Sequence, residues 1–142
     1  MISGMIASTA PSVSSKGGRG SVADIYSDKT DSNYGIGGSL AFDSDSTDNI
    51  ALGSRALNTN DDGDGNVAIG TDALTAVTSG DYNIAIGKSA GYATSTGIGN
   101  IYIGQQSGVS ASLTDESYNV GIGAYVMDNG SCTVQNSVAV GA

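Results

Sequence analysis

The chain has 142 residues, of which 22 are glycine, one is cysteine and none is histidine or tryptophan, and its formal net charge is −9. The side chains that usually supply general bases, nucleophiles and transition-metal ligands are therefore almost absent, which argues against an enzyme and against a bound cofactor. The negative charge opposes binding to the phosphate backbone of nucleic acid. Because no apolar stretch reaches the length of a membrane span, the sequence also predicts no membrane insertion.

Residues 1–32 differ in kind from the rest of the chain. Ser, Gly and Ala dominate from Ser8 to Ser21, and three of the five basic residues of the chain lie in this segment. This composition predicts a flexible N-terminal arm, in which residues 22–26 could add one strand to a sheet. A disordered leader without a docking role is the alternative.

Residues 33–142 repeat one short pattern, in which Asn is followed by an apolar, a small and an aliphatic residue and then by Gly. The pattern occurs seven times and closes on Gly37, Gly53, Gly70, Gly87, Gly104, Gly123 and Gly141, at separations of 16, 17, 17, 17, 19 and 18 residues. The last copy carries one inserted residue. So regular a spacing is typical of a repeat architecture.

Each copy alternates in the manner of a short strand, with its two apolar residues on one side. The second of the two is predicted to be core, which gives Ile36, Leu52, Ile69, Ile86, Ile103, Ile122 and Val140. The glycine then turns the chain into a second short strand, as at Ala73–Leu74, and polar loops complete the unit.

A unit of about 17 residues cannot bury its own apolar face, so each unit must stack on the next. The sequence therefore predicts an all-β fold, a parallel β-roll or β-solenoid of about seven coils. Stacking in register would align Asn33, Asn49, Asn66, Asn83, Asn100 and Asn119 in a ladder of side-chain amides. We interpret these residues as turn and ladder residues rather than as a binding site.

The repeats resemble those of trimeric autotransporter adhesin heads, which form left-handed parallel β-rolls, and those of bacteriophage tail and head fibres. Residues 136–142 are most similar to the adhesin motif, and residues 66–74 to the phage version with its longer loops. The resemblance implies a homotrimer whose three rolls bury their aliphatic faces against one another. The secretion signal, coiled-coil stalk and membrane barrel of the adhesins are not recognisable in this sequence, which favours a virion fibre or an extracellular filament.

The expected function is that of a structural subunit of such a fibre, extracellular or attached to a virion, with possible head-to-tail stacking. Residues 1–32 are then the predicted contact with another subunit, a capsid or a tail platform. The alternative is an adhesin head in which the loops at 58–65 and 110–117 bind a cell-surface glycan or a host protein. Five tyrosines could stack on sugar faces, although packing between coils or protomers is the preferred interpretation: Tyr34, Tyr82, Tyr102, Tyr118 and Tyr125.

The densest acidic cluster lies in the predicted loop at 60–65 and contains Asp61, Asp62 and Asp64. Its oxygens are suitable calcium ligands, so it is a candidate calcium site. An EF-hand loop beginning at Asn60 would need a glutamate at its twelfth position, where Thr71 stands. The alternative is a solvated acidic turn.

Overall fold

In a computed structural model of the chain, residues 25–27, 31–37, 45–110, 115–128 and 135–141 are described. They contain eight strands of three residues each, which form one sheet in sequence order. The strands are β1 (Ile25–Ser27), β2 (Tyr34–Ile36), β3 (Ile50–Leu52), β4 (Val67–Ile69), β5 (Ile84–Ile86), β6 (Ile101–Ile103), β7 (Val120–Ile122) and β8 (Val138–Val140). These ranges include no helix, and hence none long and apolar enough to cross a membrane.

The seven strands from β2 to β8 are parallel, and each residue pairs with its equivalent one repeat further along, as Ala51 does with Ala68 and Ala68 with Ala85. Coils of this kind follow from the spacing, because one repeat returns the chain to the neighbouring position in the sheet, about 4.8 Å away. The predicted all-β parallel β-solenoid is confirmed. Within the predicted arm, β1 pairs antiparallel with β2 and forms the edge of the sheet.

The core lies inside the coil and is made by the central residue of each strand. Ala51, Ala68 and Ala85 are fully buried there, as is the larger Tyr102. The residues on either side of each central position point outward, because side chains alternate along a strand. The interior between the strand and the opposite turn is narrow, so small residues occupy the centre.

The seven aliphatic residues predicted as core therefore do not form the core of the chain. They lie on the outer face of the sheet. Ile36, Ile86, Ile122 and Val140 are exposed, and Leu52, Ile69 and Ile103 are half-buried. The predicted alternation along each strand is present, but within the single chain the small central residue faces inward and the aliphatic residue faces outward. The sequence pattern does not distinguish these two cases, because it carries no information about the width of the coil.

The predicted second strand of each unit is wrong as well, because the segment after the glycine is a turn. Leu57 and Leu74 in these turns have φ near +48°, which no strand residue adopts, and their side chains are fully buried. The turns still stack in register: Leu57 N donates to Ala73 O at 3.1 Å, and Leu74 N donates to Ala90 O at 3.0 Å. One face of the interior is thus a sheet and the other a stack of turns.

The turn glycines end the strands in a conformation that suits glycine alone. Gly70 has φ +134°, and a Cβ built on it would lie 2.5 Å from Gly87 O. Gly37, Gly53, Gly87, Gly104 and Gly123 share this conformation, with φ between +127° and +141°. Gly141 does not share it and has no atom within 4 Å of a Cβ position.

Candidate interaction surface

The outward residues of the parallel strands form two adjacent columns, which together we call the aliphatic stripe. The first column is Tyr34, Ile50, Val67, Ile84, Ile101, Val120 and Val138, and the second is Ile36, Leu52, Ile69, Ile86, Ile103, Ile122 and Val140. Seven strands at about 4.8 Å give the stripe a length of about 30 Å. Seven of its fourteen side chains are exposed, as Ile50 is at 39% and Ile86 at 37%, and the other seven are half-buried, so the described residues cover the stripe only in part.

A continuous apolar surface of this kind is a candidate contact site, since the largest apolar patch of a soluble protein is often functional. The members of the stripe are β-branched or leucine with the single exception of Tyr34, and the stripe contains no charged side chain. The arrangement can exclude water against a matching apolar face, and the hydroxyl of Tyr34 is the only polar side-chain group in it.

The turn on the N-terminal side of each strand borders the first column, and we call it the entry corner. It is formed by the residue that precedes each of the six ladder asparagines and by the residue that precedes Ser137, the equivalent position in the last coil. These residues are Ser32, Asp48, Gly65, Tyr82, Gly99, Tyr118 and Asn136. All seven have φ between +55° and +68°. Tyr82 and Tyr118 are 65% and 60% exposed, so they add aromatic surface beside the stripe.

The turn on the C-terminal side, the exit corner, is formed by the two residues that follow each turn glycine. Its residues are largely polar: Ser54 and Arg55, Thr71 and Asp72, Lys88 and Ser89, and Gln105 and Gln106, followed by Ala124 and Tyr125. The two basic residues of the described part of the chain, Arg55 and Lys88, both lie here. The entry corner thus carries two exposed tyrosines beside the stripe, and the exit corner is polar except at Ala124 and Tyr125.

Arg55 and Asp72 form a bidentate ion pair between neighbouring coils of the exit corner. Nε of Arg55 donates to Oδ1 of Asp72 at 2.5 Å, and Nη2 donates to Oδ2 at 2.7 Å. These hydrogen bonds lower the pKa of Asp72 below its ordinary value, against a smaller opposing effect of burial. The pair fixes one coil to the next at a solvent-facing position.

The six predicted ladder asparagines lie one above another inside the coils, and all are buried. Oδ1 of Asn83 accepts from the backbone N of Asn100 at 2.9 Å and from its Nδ2 at 3.0 Å. Nδ2 of Asn83 donates to Gly97 O at 2.8 Å and to Oδ1 of Asn66 at 3.1 Å. Equivalent Oδ1-to-backbone bonds connect every consecutive pair from Asn33 to Asn119, and Ser137 N completes the series at 3.1 Å. Their amides serve the fold and are not available to a ligand.

The acidic loop at 60–65, which the sequence offers as a candidate calcium site, is a hydrogen-bonded turn. Asp61 and Asp62 are exposed, whereas Oδ1 of Asp64 accepts from Thr47 N at 2.7 Å and from Thr47 Oγ1 at 2.9 Å. Within the described ranges, no three His, Cys, Asp or Glu side chains are grouped so that they could hold a metal ion. Asp64 thus links neighbouring coils, and the cluster supports no metal proposal.

Other predicted contact regions lie partly outside the described residues. This applies to residues 1–24 and 28–30 of the arm and to residues 111–114 of the second adhesin loop. In the first loop, Asn60 and Gly63 are buried while Asp61 and Asp62 are exposed. Tyr92, on the turn side of the coil, and Tyr125, in the exit corner, are exposed as well, at 48% and 54%.

The contrast between the two corners was missed by the sequence interpretation. Its signal is present in the residue before each asparagine, which alternates between glycine and tyrosine from Gly65 to Tyr118. The sequence alone does not show that this position is a turn next to an exposed stripe.

No family model matches the chain, and no curated protein or solved structure matches it. The class of the protein is therefore given by its own geometry: a parallel β-solenoid with one exposed aliphatic face.

Proposed function

We propose that this chain is the structural, rod-forming part of a homotrimeric β-solenoid fibre, such as a phage tail or head fibre or an extracellular filament. The observation that carries the proposal is the aliphatic stripe, which runs the length of the sheet and is exposed in the single chain. Three copies with their stripes turned toward a common axis would remove it from water. The resemblance of the repeats to trimeric β-rolls supports three copies and left-handed coils.

The hydrophobic effect gives the driving force for this assembly. Each buried square ångström of apolar surface contributes about 25 cal/mol, so covering a stripe of about 300 Å² is worth several kcal/mol for each chain. The backbone ladders between coils then keep the rod stiff along its axis. In this proposal the protein acts by its shape and length and has no catalytic site, and it works on the outside of a virion or a cell.

The proposal is tested by the mass of the particle in solution. Light scattering on a sizing column is expected to give three times the chain mass for the full chain. Replacing Ile69 and Ile86 of the stripe together by glutamate is expected to give single chains, because six carboxylates would meet near the axis.

The matched control places the same charge elsewhere. Replacing the exposed Ser54 and Thr96, which lie outside the stripe, by glutamate is expected to leave the three-chain mass unchanged. Circular dichroism of each variant reports whether the β fold is retained. A single-chain mass for the unmodified protein, or an unchanged trimer in the doubly charged stripe variant, contradicts the proposal.

The second candidate is a receptor-binding head on the same rod. Tyr92 and Tyr125 favour it, because they are exposed on the turn side and in the exit corner, so a trimer closed by the stripe would leave them outside the stripe contact. Selective binding of the trimer to a glycan array, lost on Tyr92→Ser and Tyr125→Ser, would support this candidate. Absence of binding at the highest concentration tested would leave the rod function alone.

A remaining part of the proposal concerns the ends of the rod. Residues 1–32 are proposed to dock to another subunit, a capsid or a tail platform, and the trimers to stack head to tail. The pairing of β1 with β2 uses Ile25–Ser27 within the chain's own sheet, so the docking role is proposed for the other residues of the arm.

A further inference from the structure

The entry corner is continuous with the aliphatic stripe. Between Tyr82 in the corner and Ile84 in the first column stands only Asn83, whose side chain is buried inside the coil. Tyr118, Asn119 and Val120 repeat this arrangement two coils further on. The two tyrosines therefore extend the apolar surface beyond the strands on this side.

The tyrosines stand on alternate coils because each ring uses the space above a glycine. A Cβ built on Gly65 would lie 2.7 Å from Cδ1 and 2.9 Å from Cε1 of Tyr82. A Cβ on Gly99 would lie 3.0 Å and 3.1 Å from the same atoms of Tyr118. Each ring thus leans over the preceding coil and is held there, while most of its surface still faces solvent.

The size of the stripe indicates that the corner is needed for a stable assembly. Two columns about 7 Å apart present a strip about 10 Å wide and 30 Å long, or about 300 Å². A stable protein–protein interface buries about 800 Å² on each partner. The stripe alone falls short of that area, and the exposed tyrosines are the apolar surface that adjoins it.

In the proposed trimer, the two corners of each copy would meet different surfaces of its neighbours. In a ring of parallel rods whose strands all face the axis, the start of one strand lies beside the end of the next copy's strand. The entry corner of one copy then faces the second column of its neighbour, which includes Ile69, Ile86 and Ile103. The polar exit corner remains at the outer margin of that contact.

From this arrangement we infer that Tyr82 and Tyr118 bind a second copy of this chain by packing on the second aliphatic column of the neighbouring rod. The inference rests on the proposed trimer and adds the residues that complete its interface. The tyrosines are then contact residues, each covering two coils of its own chain and the aliphatic edge of the next.

The test removes exposed tyrosines from two places on the coil. Tyr82→Ser with Tyr118→Ser is expected to raise the concentration at which the trimer dissociates by at least tenfold, measured by analytical ultracentrifugation. Serine suits the backbone at this corner, where Ser32 has φ +58°. The control, Tyr92→Ser, removes the same chemical group from the turn side and is expected to change that concentration less than twofold.

A cross-linking experiment shows whether the contact is made between copies. In a Cys132→Ser background, Tyr82→Cys is combined in turn with Ile69→Cys, Ile86→Cys or Ile103→Cys. One of the three pairs is expected to give covalent dimers and trimers on oxidation, because a corner cysteine of one copy would meet a stripe cysteine of the next. Cysteine at Tyr92 with the same partners is the control and is expected to give none.

The possible failures are distinguishable. A trimer that is unaffected by loss of Tyr82 and Tyr118 and gives no cross-link overturns this inference and leaves the proposed function intact. A single-chain mass for the unmodified protein overturns both. Binding of chitohexaose that is lost in the Tyr82 and Tyr118 variant, with unchanged assembly, would make the corner a sugar-binding surface instead.

Discussion

The amide of each ladder asparagine connects three parts of the chain. Its oxygen accepts from the next coil and its nitrogen donates to a loop carbonyl, as Asn83 does to Gly97 O; at Asn49, Asn83 and Asn100 the nitrogen also donates to the preceding asparagine. Aspartate lacks the donor, and alanine lacks both groups. The residue type is therefore set by hydrogen bonding inside a closed space, where an unpaired polar group is costly.

Replacement of Asn83 by alanine is expected to lower the free energy of unfolding by about 3 kcal/mol or more, because Asn100 N and Gly97 O lose their side-chain partner and Asn66 Oδ1 keeps only the bond from the backbone N of residue 83. The measurement is urea unfolding followed by circular dichroism. Asn58→Ala, in a turn outside the ladder, is the control and is expected to change the free energy by about 0.5 kcal/mol at most. Equal losses in the two variants would contradict the structural role of the ladder.

The Arg55–Asp72 pair predicts a pH dependence of stability. Because hydrogen bonds from Arg55 lower the pKa of Asp72 in the folded protein, the stabilisation is fully present above the ordinary aspartate pKa of about 4. It is lost as the pH falls through the lowered pKa, where the carboxylate takes up a proton. The stability difference between the unmodified protein and Asp72→Asn is therefore expected to stay constant above about pH 5 and to shrink below pH 4.

Urea midpoints measured at each pH would test this expectation. Arg55→Gln serves as the matched variant, since Gln106 occupies the equivalent position at φ +54°. It is expected to give the same pH profile as Asp72→Asn. A difference that grows on acidification would contradict the assigned direction.

At the scale of elements, the strand and the turn share one interior volume. In the coils of β3 and β4, an alanine at the strand centre faces a leucine from the turn, Leu57 or Leu74. At β6 the strand supplies Tyr102 instead. The turn positions equivalent to Leu74 are then Gly91 and Gly108, whose Cα atoms lie close against the ring. Large and small residues have exchanged places between the two elements, and the interior stays filled.

This exchange predicts a rescue. Tyr102→Ala is expected to cost about 3–5 kcal/mol of stability, because it leaves a cavity. Gly108→Leu alone is expected to cost about 1–3 kcal/mol, because a Cβ there meets the Tyr102 ring. Together they are expected to cost clearly less than the sum, since leucine suits this turn, where Leu74 has φ +48°. Chemical denaturation of the four proteins measures the coupling, and additive losses would contradict the shared volume.

The sequence predicted the strands, the turn glycines and the register of the asparagines, because each of these features recurs as the same kind of residue at the repeat spacing. It did not predict which side of the strand faces inward, since alternation is the same whether Ala68 or Ile69 is inside. The turn was read as a strand because Leu57 and Leu74 are apolar and nothing local indicates a positive φ. Both errors concern the width of the coil, which is a property of the stacked chain.

At the scale of the whole molecule, assembly and stability are expected to be linked. If three chains bury their stripes together, unfolding requires dissociation, so the melting temperature depends on protein concentration. A tenfold increase in concentration is expected to raise the Tm by about 3 °C or more. The variant with glutamate at Ile69 and Ile86 is the control and is expected to melt at one temperature at all concentrations. A concentration-independent Tm for the unmodified protein would contradict a trimer held by the stripe.

The asparagine ladder also affects how the length of such a molecule can change. Along the ladder from Asn33 to Asn119, each coil presents an asparagine amide and a backbone N to its neighbours, so duplication or deletion of a whole repeat of about 17 residues would leave the ladder continuous. Each such event alters the rod by about 4.8 Å. Duplication or deletion of the gene segment for one repeat would therefore change the rod length in steps of one coil, while the loop of each repeat could still vary.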